Sequence, residues 1–328
     1  MRVSLSDDGR DFLRRDWSDL VDADPAATFF HTPQYLKLYW EEFGHDLDEL
    51  LLAFVEEGDR TVGAVAFERL GRTLRFLGGT EVTDYMGPVA AAGAEDRVAK
   101  ELMAAVAALD RWTDGDLLGL PEDSPWLGRL HDAAEGAGLS VQVGEDSVAP
   151  CLELPPTYDE YLAGLPSKLR HEIRRKARRL DGELGGHALA LATTETLTDD
   201  LGAFVAMHRA SEGPKGKFMV PGMEIFFRRL AETFLPEGMF RLAFLEARGV
   251  RMAGAIAFAF RDRTYLYNSA FDRARRGLAP GMVLVADLIE RAIADGCRAF
   301  DLLKGDLAYK YRFGARPRAV KRLLLARR

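Results

Sequence analysis

The sequence predicts a mixed α/β protein, with α+β mixed sheets, built from two tandem copies of one domain. Three observations carry that prediction. Residues 52–67 read LAFVEEGDRTVGAVAF and residues 242–258 read LAFLEARGVRMAGAIAF, so two apolar runs flank a charged turn twice, which is the signature of a duplicated unit. The elements around each copy follow one order: helices, an antiparallel meander, a crossover helix, a strand, a helical turn and closing strands. The chain of 328 residues is long enough to give each copy its own core.

In the first half, Thr32 is a good N-cap and Pro33 suits the first helical position, so QYLKLYWEEFG reads as a helix. Strands follow near 51–56, 62–70 and 73–78, with turns at Glu57-Gly58 and Leu70-Gly71. The loop GGTEVTDYMGPVAAAG leads to a helix over 94–110. A short buried strand at 116–119, a helix from Ser124 to Glu135, and strands near 140–144 and 149–154 close this half. Pro155-Pro156 cannot continue a central strand, which places the boundary there and the domains at 1–155 and 156–328.

The second half repeats the order. Helices are expected at 167–180 and 198–211, strands at 240–246, 251–260 and 264–270, and a helix at 280–295 after loop 271–279. A strand at 299–303 precedes GDLAYKYRFGA, and a last strand spans 319–326. Segment 212–222, EGPKGKFMVPG, reads as an exposed connection or a flap. The helix SKLRHEIRRKARRL carries an apolar stripe of Leu169, Ile173, Ala177 and Leu180, with Arg170, Arg174, Arg175, Arg178 and Arg179 elsewhere. That basic face is either solvated or contacts a phosphate-rich partner.

Composition narrows the function classes. Hydrophobic residues make up 48 % and charged residues 29 %, ordinary for a soluble protein. The net charge of −7 argues against a surface built throughout for nucleic acid. Cys151 and Cys297 read as buried reduced thiols, and the six histidines show no ligand spacing, so no metal is expected. No apolar run reaches about 20 residues, and the N-terminus MRVSLSDDGRDF lacks a signal-peptide core, which points to a cytoplasmic protein.

The two crossover loops differ. The second reads Arg275-Arg276-Gly277-Leu278-Ala279-Pro280-Gly281 directly before a helix, where open N–H groups, the helix dipole and two arginines favour a phosphate. The first has Val89-Ala-Ala-Ala-Gly93 and no arginine, so an anionic ligand is expected on the second copy.

Taken with the meander–loop–helix–strand order, R-x-x-A-x-G at Arg276 to Gly281 resembles the GNAT acyltransferase superfamily, with alanine in place of the first glycine of its pyrophosphate loop. LYNSAFD, FDLLKGDLAYKYRFGA with its K-x-x-F-G at Lys310 to Gly314, FFHTPQYLKLYW, TDYMGP, LGLPEDSP and SKLRHEIRRKARR resemble the duplicated branch. That branch holds FemABX-like aminoacyltransferases and CelD/BcsL-type acetyltransferases. The resemblance implies two GNAT-like domains, the first degenerate and on the acceptor side, the second binding the donor. It implies transfer of an acyl group to a small-molecule, sugar or peptide amine. The co-substrate would be acetyl-CoA or a longer acyl-CoA, with an acyl carrier protein or aminoacyl-tRNA as other donors. A non-catalytic binding scaffold is the third reading.

The chemistry needs a neutral amine, a stabilised oxyanion and a protonated leaving group. Tyr309 is the expected acid, with Tyr311 as runner-up; Asn268 is the oxyanion donor or merely a polar strand end, and His208 is the base or a core histidine. Lys310 stands where the resemblance places a lysine near donor phosphate or developing charge. Donor contacts are expected from Ser269, Arg275, Arg276, Gly277, Ala279, Gly281 and Met282. Asp84 and Tyr85 would hold the acceptor, and Asp301, ending a buried-looking strand, must be paired or functional.

Overall fold

A computed structural model describes residues 1–327, which form two compact units. The first unit comprises Met1–Val148 together with the chain from Arg318 onward. Its elements are β1 (Arg2–Ser6), α1 (Gly9–Arg14), α2 (Ser18–Ala23), α3 (Pro33–Phe43), β2 (Glu49–Glu57), β3 (Arg60–Leu70), β4 (Thr73–Phe76), β5 (Val89–Ala90), α4 (Glu95–Ala108), β6 (Asp114–Pro121), α5 (Pro125–Gly136) and β7 (Leu139–Val148). The second unit, Ala149–Pro317, comprises β8 (Cys151–Glu153), α6 (Tyr158–Gly164), α7 (Ser167–Leu184), β9 (Ala188–Leu191), α8 (Leu197–Arg209), α9 (Pro214–Phe218), α10 (Pro221–Phe234), β10 (Phe240–Ala247), β11 (Val250–Phe260), β12 (Arg263–Phe271), α11 (Pro280–Ala294) and β13 (Ala299–Asp301). The last strand, β14 (Ala319–Arg327), returns to the first unit.

Each unit holds a mixed sheet. The first runs β1-β2-β3-β4-β6-β14-β7, with β5 also pairing β3; the second runs β8-β13-β12-β11-β10-β9. In both, one parallel pair follows the crossover helix, β4 with β6 and β12 with β13. A right-handed crossover through a helix brings the next strand back parallel in this way. The local signals behave as their chemistry dictates: Thr32 caps α3 by accepting from Tyr35 N–H with Pro33 at the first position, and Ser124 and Pro125 do the same for α5.

The division lies at 148/149, whereas the sequence reading cuts the chain at 155/156. The strand 151–153 pairs with β13, so it opens the second unit, and the two prolines lie inside that unit. The strand at 319–327 inserts between β6 and β7, where Arg322 makes a two-pronged ion pair with Asp116. Its apolar residues Val320, Leu323 and Leu325 are buried there. Composition alone did not distinguish the two sheets that this strand could join. Cys297 is buried as expected, but Cys151 is half-exposed, with Arg263 donating to its sulfur at 3.3 Å.

In the second unit α11 packs beneath β11 and β12, over Ala243, Leu245, Ala253, Ala255 and Leu266. On the other face, a Cβ on Gly254 would lie 2.9 Å from Phe244 and 3.1 Å from Phe204 of α8, so only glycine fits the approach of that helix.

Candidate active site

The site is built around the free half of β12. Its ladder with β11 runs the whole length, Arg263↔Phe260 to Phe271↔Ala253. Its ladder with β13 covers only Arg263, Thr264 and Tyr265. From Leu266 onward β12 has no strand partner on that side among the described residues. Within this stretch Ile256 pairs with Asn268 and Ala257 with Leu266, so Tyr267 is the extra residue of a bulge. A bulge locally re-aims side chains. Here Tyr267 enters an aromatic wall with Phe227 (5.4 Å between ring centroids) and Phe258 (5.5 Å).

Asn268 and Ser269 therefore sit at the start of the open edge, and each meets a titratable partner. His208, at the C-terminal end of α8, is fully buried, and its Nε2 lies 3.0 Å from Asn268 Oδ1. The same oxygen accepts from Ser269 N–H at 2.9 Å. An amide oxygen accepts, so Nε2 carries the proton and Nδ1 carries the lone pair. Nδ1 has no hydrogen-bond partner in the structure. Burial holds the imidazolium below its ordinary range, and the positive charge of Lys215 on α9 acts in the same direction. The ring of Phe218, also on α9, lies 6.0 Å from the imidazole.

Burial raises the pKa of the Tyr309 hydroxyl above the usual tyrosine value, with the Ser269 side chain acting in the opposite direction. Of the two tyrosines left open by the sequence, Tyr309 is the one that meets β12. Tyr311 is turned outward and donates to Asp306 Oδ1 at 2.5 Å.

The loop before α11 follows. Asp272 caps a 3-10 turn, Arg273–Leu278, accepting from Ala274 N–H at 2.9 Å and from Arg275 Nε at 3.2 Å. Arg276 and Gly277 are exposed. Ala279 adopts φ 53°, the left-handed conformation in which glycine is usual, and Pro280 starts α11. A Cβ on Gly281 would make only ordinary contact, 3.5 Å, with Phe271. The thioether of Met282 accepts from Lys176 Nζ at 2.7 Å, and both Lys176 and Arg312 pair with Glu172. Four cations, Lys176, Arg275, Arg276 and Arg312, thus gather around the positive end of the α11 dipole.

Other expectations meet a different geometry. Lys310 is buried, and its ammonium donates to the Leu303 and Lys304 carbonyls, both at 2.8 Å. Asp301 is fully buried, accepts from Leu303 N–H at 2.9 Å and lies 3.7 Å from Arg263, so it is paired inside the protein. Tyr85 is a core residue of the first unit: it is 1 % exposed, its ring packs on Phe30, and its hydroxyl accepts from Arg318 at 2.5 Å. Asp84 beside it is half-buried. Lys176, Arg312, Phe218 and Phe227 also lie against the candidate residues, and sequence reasoning did not single them out. Lys176 lies on the flank of the α7 apolar stripe, which was its one visible signal. No group of three or more His, Cys, Asp or Glu among the described residues could hold a metal.

Comparison with known proteins follows this geometry. Residues 167–311 match the family model described as an acetyltransferase (GNAT) domain. A search of curated proteins returns no match. Among solved structures, FemX is similar with a TM-score of 0.68 and 10 % identity, over 98 % of this chain and 97 % of that one. L-PGS from Bacillus licheniformis gives 0.56 and 15 %, covering 90 % and 91 %. A GNAT-family acetyltransferase from Colwellia psychrerythraea gives 0.54 and 10 %, covering 99 % of both. At these identities the likeness is one of fold. The family match thus covers residues 167–311, and the fold of the chain along nearly its whole length is like that of FemX and of the Colwellia acetyltransferase.

Proposed function

We propose that the second unit is an N-acyltransferase that moves an acyl group from acyl-CoA to an amine. The observation that carries this reading is the open edge of β12, where His208 meets Asn268, Tyr309 comes to Ser269 and a helix N-terminus flanked by cations lies beyond the end. The extended arm of the thioester would lie along that edge, with its phosphates at Gly281, Arg275, Arg276 and Lys176. His208 Nδ1 takes a proton from the amine, whose nitrogen then bonds to the acyl carbon. The carbon–sulfur bond breaks, and the Tyr309 hydroxyl supplies the proton that the departing sulfur needs. Tyr309 regains its proton through solvent. Because His208 is fully buried, the amine reaches Nδ1 only when α9 and Phe218 swing aside.

A second reading, transfer from an aminoacyl-tRNA to a peptide or cell-wall precursor, is favoured by one observation. Lys168, Arg175, Arg178 and Arg179 make an exposed basic stripe along α7, and α7 packs against the donor-loop turn. Calorimetric titration with acetyl-CoA, a long-chain acyl-CoA and tRNA separates the readings. Saturable CoA-thioester binding lost in Arg276→Glu supports the first; tRNA binding without CoA binding transfers support to the second; binding of none leaves the scaffold reading. No helix among the described residues is long and apolar enough to cross a membrane.

A further inference from the structure

Leu303 has a left-handed backbone, φ 58°, although it is neither glycine nor asparagine and its side chain is buried. That conformation is unfavourable for an L residue, because Cβ crowds the following carbonyl oxygen. Two buried charges hold it in place. Asp301 takes the Leu303 N–H and Lys310 takes the Leu303 carbonyl, with a second bond from Lys310 to the Lys304 carbonyl. Burying an ammonium and a carboxylate to clamp one peptide is an expensive arrangement. Such strain persists where a backbone must follow a path that packing alone would not choose.

The path concerned borders the candidate site. β13 leaves β12 at Asp301, and Leu302 N–H bonds the Pro150 carbonyl at 2.9 Å on the side away from β12. The chain then turns at Leu303. It comes back so that Tyr309 reaches Ser269 on the open edge, and the very next residue, Lys310, sends its side chain back to the Leu303 turn. One clamp therefore fixes both the departure of the chain from β12 and the return of Tyr309 to it.

We propose that Lys310 and Asp301 are positioning residues that act through the Leu303 turn to hold the Tyr309 hydroxyl at Ser269 and keep the β12 edge open beyond Leu266. This rests on the reading of Tyr309 as the proton donor. Lys310 touches neither donor nor acceptor in this account, so its removal acts through Tyr309. A lysine that met the donor phosphate would instead act independently of Tyr309.

The test is a double-mutant cycle on the full chain with Tyr309→Phe, Lys310→Met and both together. Thiol release from acetyl-CoA, with hydroxylamine as the amine, gives kcat and KM. Phenol absorbance at 295 nm against pH, in ligand-free protein, reports the tyrosines. Tyr309→Phe should lower kcat by about 100-fold. Lys310→Met should lower kcat by roughly 10–100-fold with KM for acetyl-CoA within about threefold of wild type, and the double variant should be no slower than Tyr309→Phe alone. The phenol component absent from Tyr309→Phe should move towards the ordinary tyrosine range in Lys310→Met. Effects that multiply in the double variant, or a raised KM with kcat kept, would overturn the proposal and return Lys310 to the donor. Wild-type kcat in Tyr309→Phe would remove the reading beneath it. A chain that binds no acetyl-CoA would remove the functional reading alone, since the phenol titration still tests the clamp. Should Lys310→Met not fold, Asp301→Asn keeps an acceptor for Leu303 N–H while losing the charge; it should show the same non-additivity with a smaller loss.

Discussion

The two units treat the same crossover in opposite ways. In the second unit β12 runs on past the point where β13 leaves it, with one bulged residue, Tyr267, before Ala270 and Phe271 pair with Gly254 and Ala253. In the first unit β4 stops at Phe76, and the chain departs at Leu77 and returns only as β5, where Val89 and Ala90 pair with Ala64 and Gly63. A single-residue bulge in one copy corresponds to the whole excursion 77–88 in the other. The helix starts differ as well. α4 begins with Glu95 and Asp96, which satisfy the dipole from within, whereas the first turn of α11 has no acid and lies among arginines. The first unit also closes its crossover with Asp24, whose carboxylate accepts from Ala90 N–H at 3.1 Å and Trp126 Nε1 at 3.2 Å. One scaffold thus yields a sealed crossover and an open, cationic one.

The sharpest break of this comparison is at the base. His208→Gln should lower turnover by about 100-fold or more while donor affinity is kept, because proton removal and not binding is lost. In wild type, kcat/KM should rise with pH through a midpoint below the ordinary histidine value of 6.5, since burial disfavours the imidazolium. The stability sign agrees: a depressed folded-state pKa gives stability that is present above the unfolded value and is lost as pH falls through it towards the folded one. His208→Gln should therefore flatten both acid limbs; an unchanged rate profile would remove His208 from the site.

Charge reversal at the open crossover comes next. Arg276→Glu should weaken acetyl-CoA binding by roughly 10–100-fold, the scale of one or two charge-assisted contacts. Asp96→Lys, at the start of α4, should leave donor affinity unchanged and cost about 0.3–1 kcal/mol of stability through the helix dipole. Equal effects of the two on binding would erase the asymmetry.

Asp24→Ala should cost about 2–3 kcal/mol in chemical denaturation, because two buried donors lose their acceptor, yet donor titrations should not change. Altered donor affinity in that variant would show that the first crossover is not separate from the donor site. The smallest effects concern the two left-handed positions. Ala279→Gly should gain up to about 1 kcal/mol by relieving φ 53°, and Gly93→Ala should lose a similar amount at φ 77°. The same sign at both positions in thermal denaturation would contradict their assignment.

The repeat was readable in the sequence, but its alignment was not. Leu52-Ala-Phe and Leu242-Ala-Phe are equivalent in register: Leu52 pairs with Ala66, and Leu242 pairs with Ile256. The shared Gly-Ala pair is not, because Val55 pairs with Gly63 and Leu245 with Ala253, so Gly254 lies one residue further on. One residue reverses the face of a strand. Accordingly, a Cβ on Gly63 would strike Val98 of α4, while one on Gly254 would strike Phe204 of α8. Letters that looked conserved are two separate close approaches.

Legibility at the site followed chain locality. The loop before α11, Asn268, His208 and Tyr309 stand out in the sequence because each belongs to a short segment with its own pattern. The internal bonds of Lys310 and Asp301 do not, since a lysine that clamps carbonyls and one that meets phosphate read alike until the Leu303 turn is seen. Tyr85 looked like a loop residue because its partner, Arg318, is supplied by the far end of the chain. The destination of β14 was hidden for the same reason: an alternating strand shows that it pairs, but not with which sheet.

The most direct measurement is an isothermal titration of acetyl-CoA into three proteins: wild type, Arg276→Glu and Asp96→Lys. An open donor crossover in the second unit and a sealed one in the first predict one saturable site per chain, weakened roughly 10–100-fold in Arg276→Glu and intact in Asp96→Lys. Undiminished affinity in Arg276→Glu, or no binding to the wild type, would contradict the assignment of the donor to the α11 crossover.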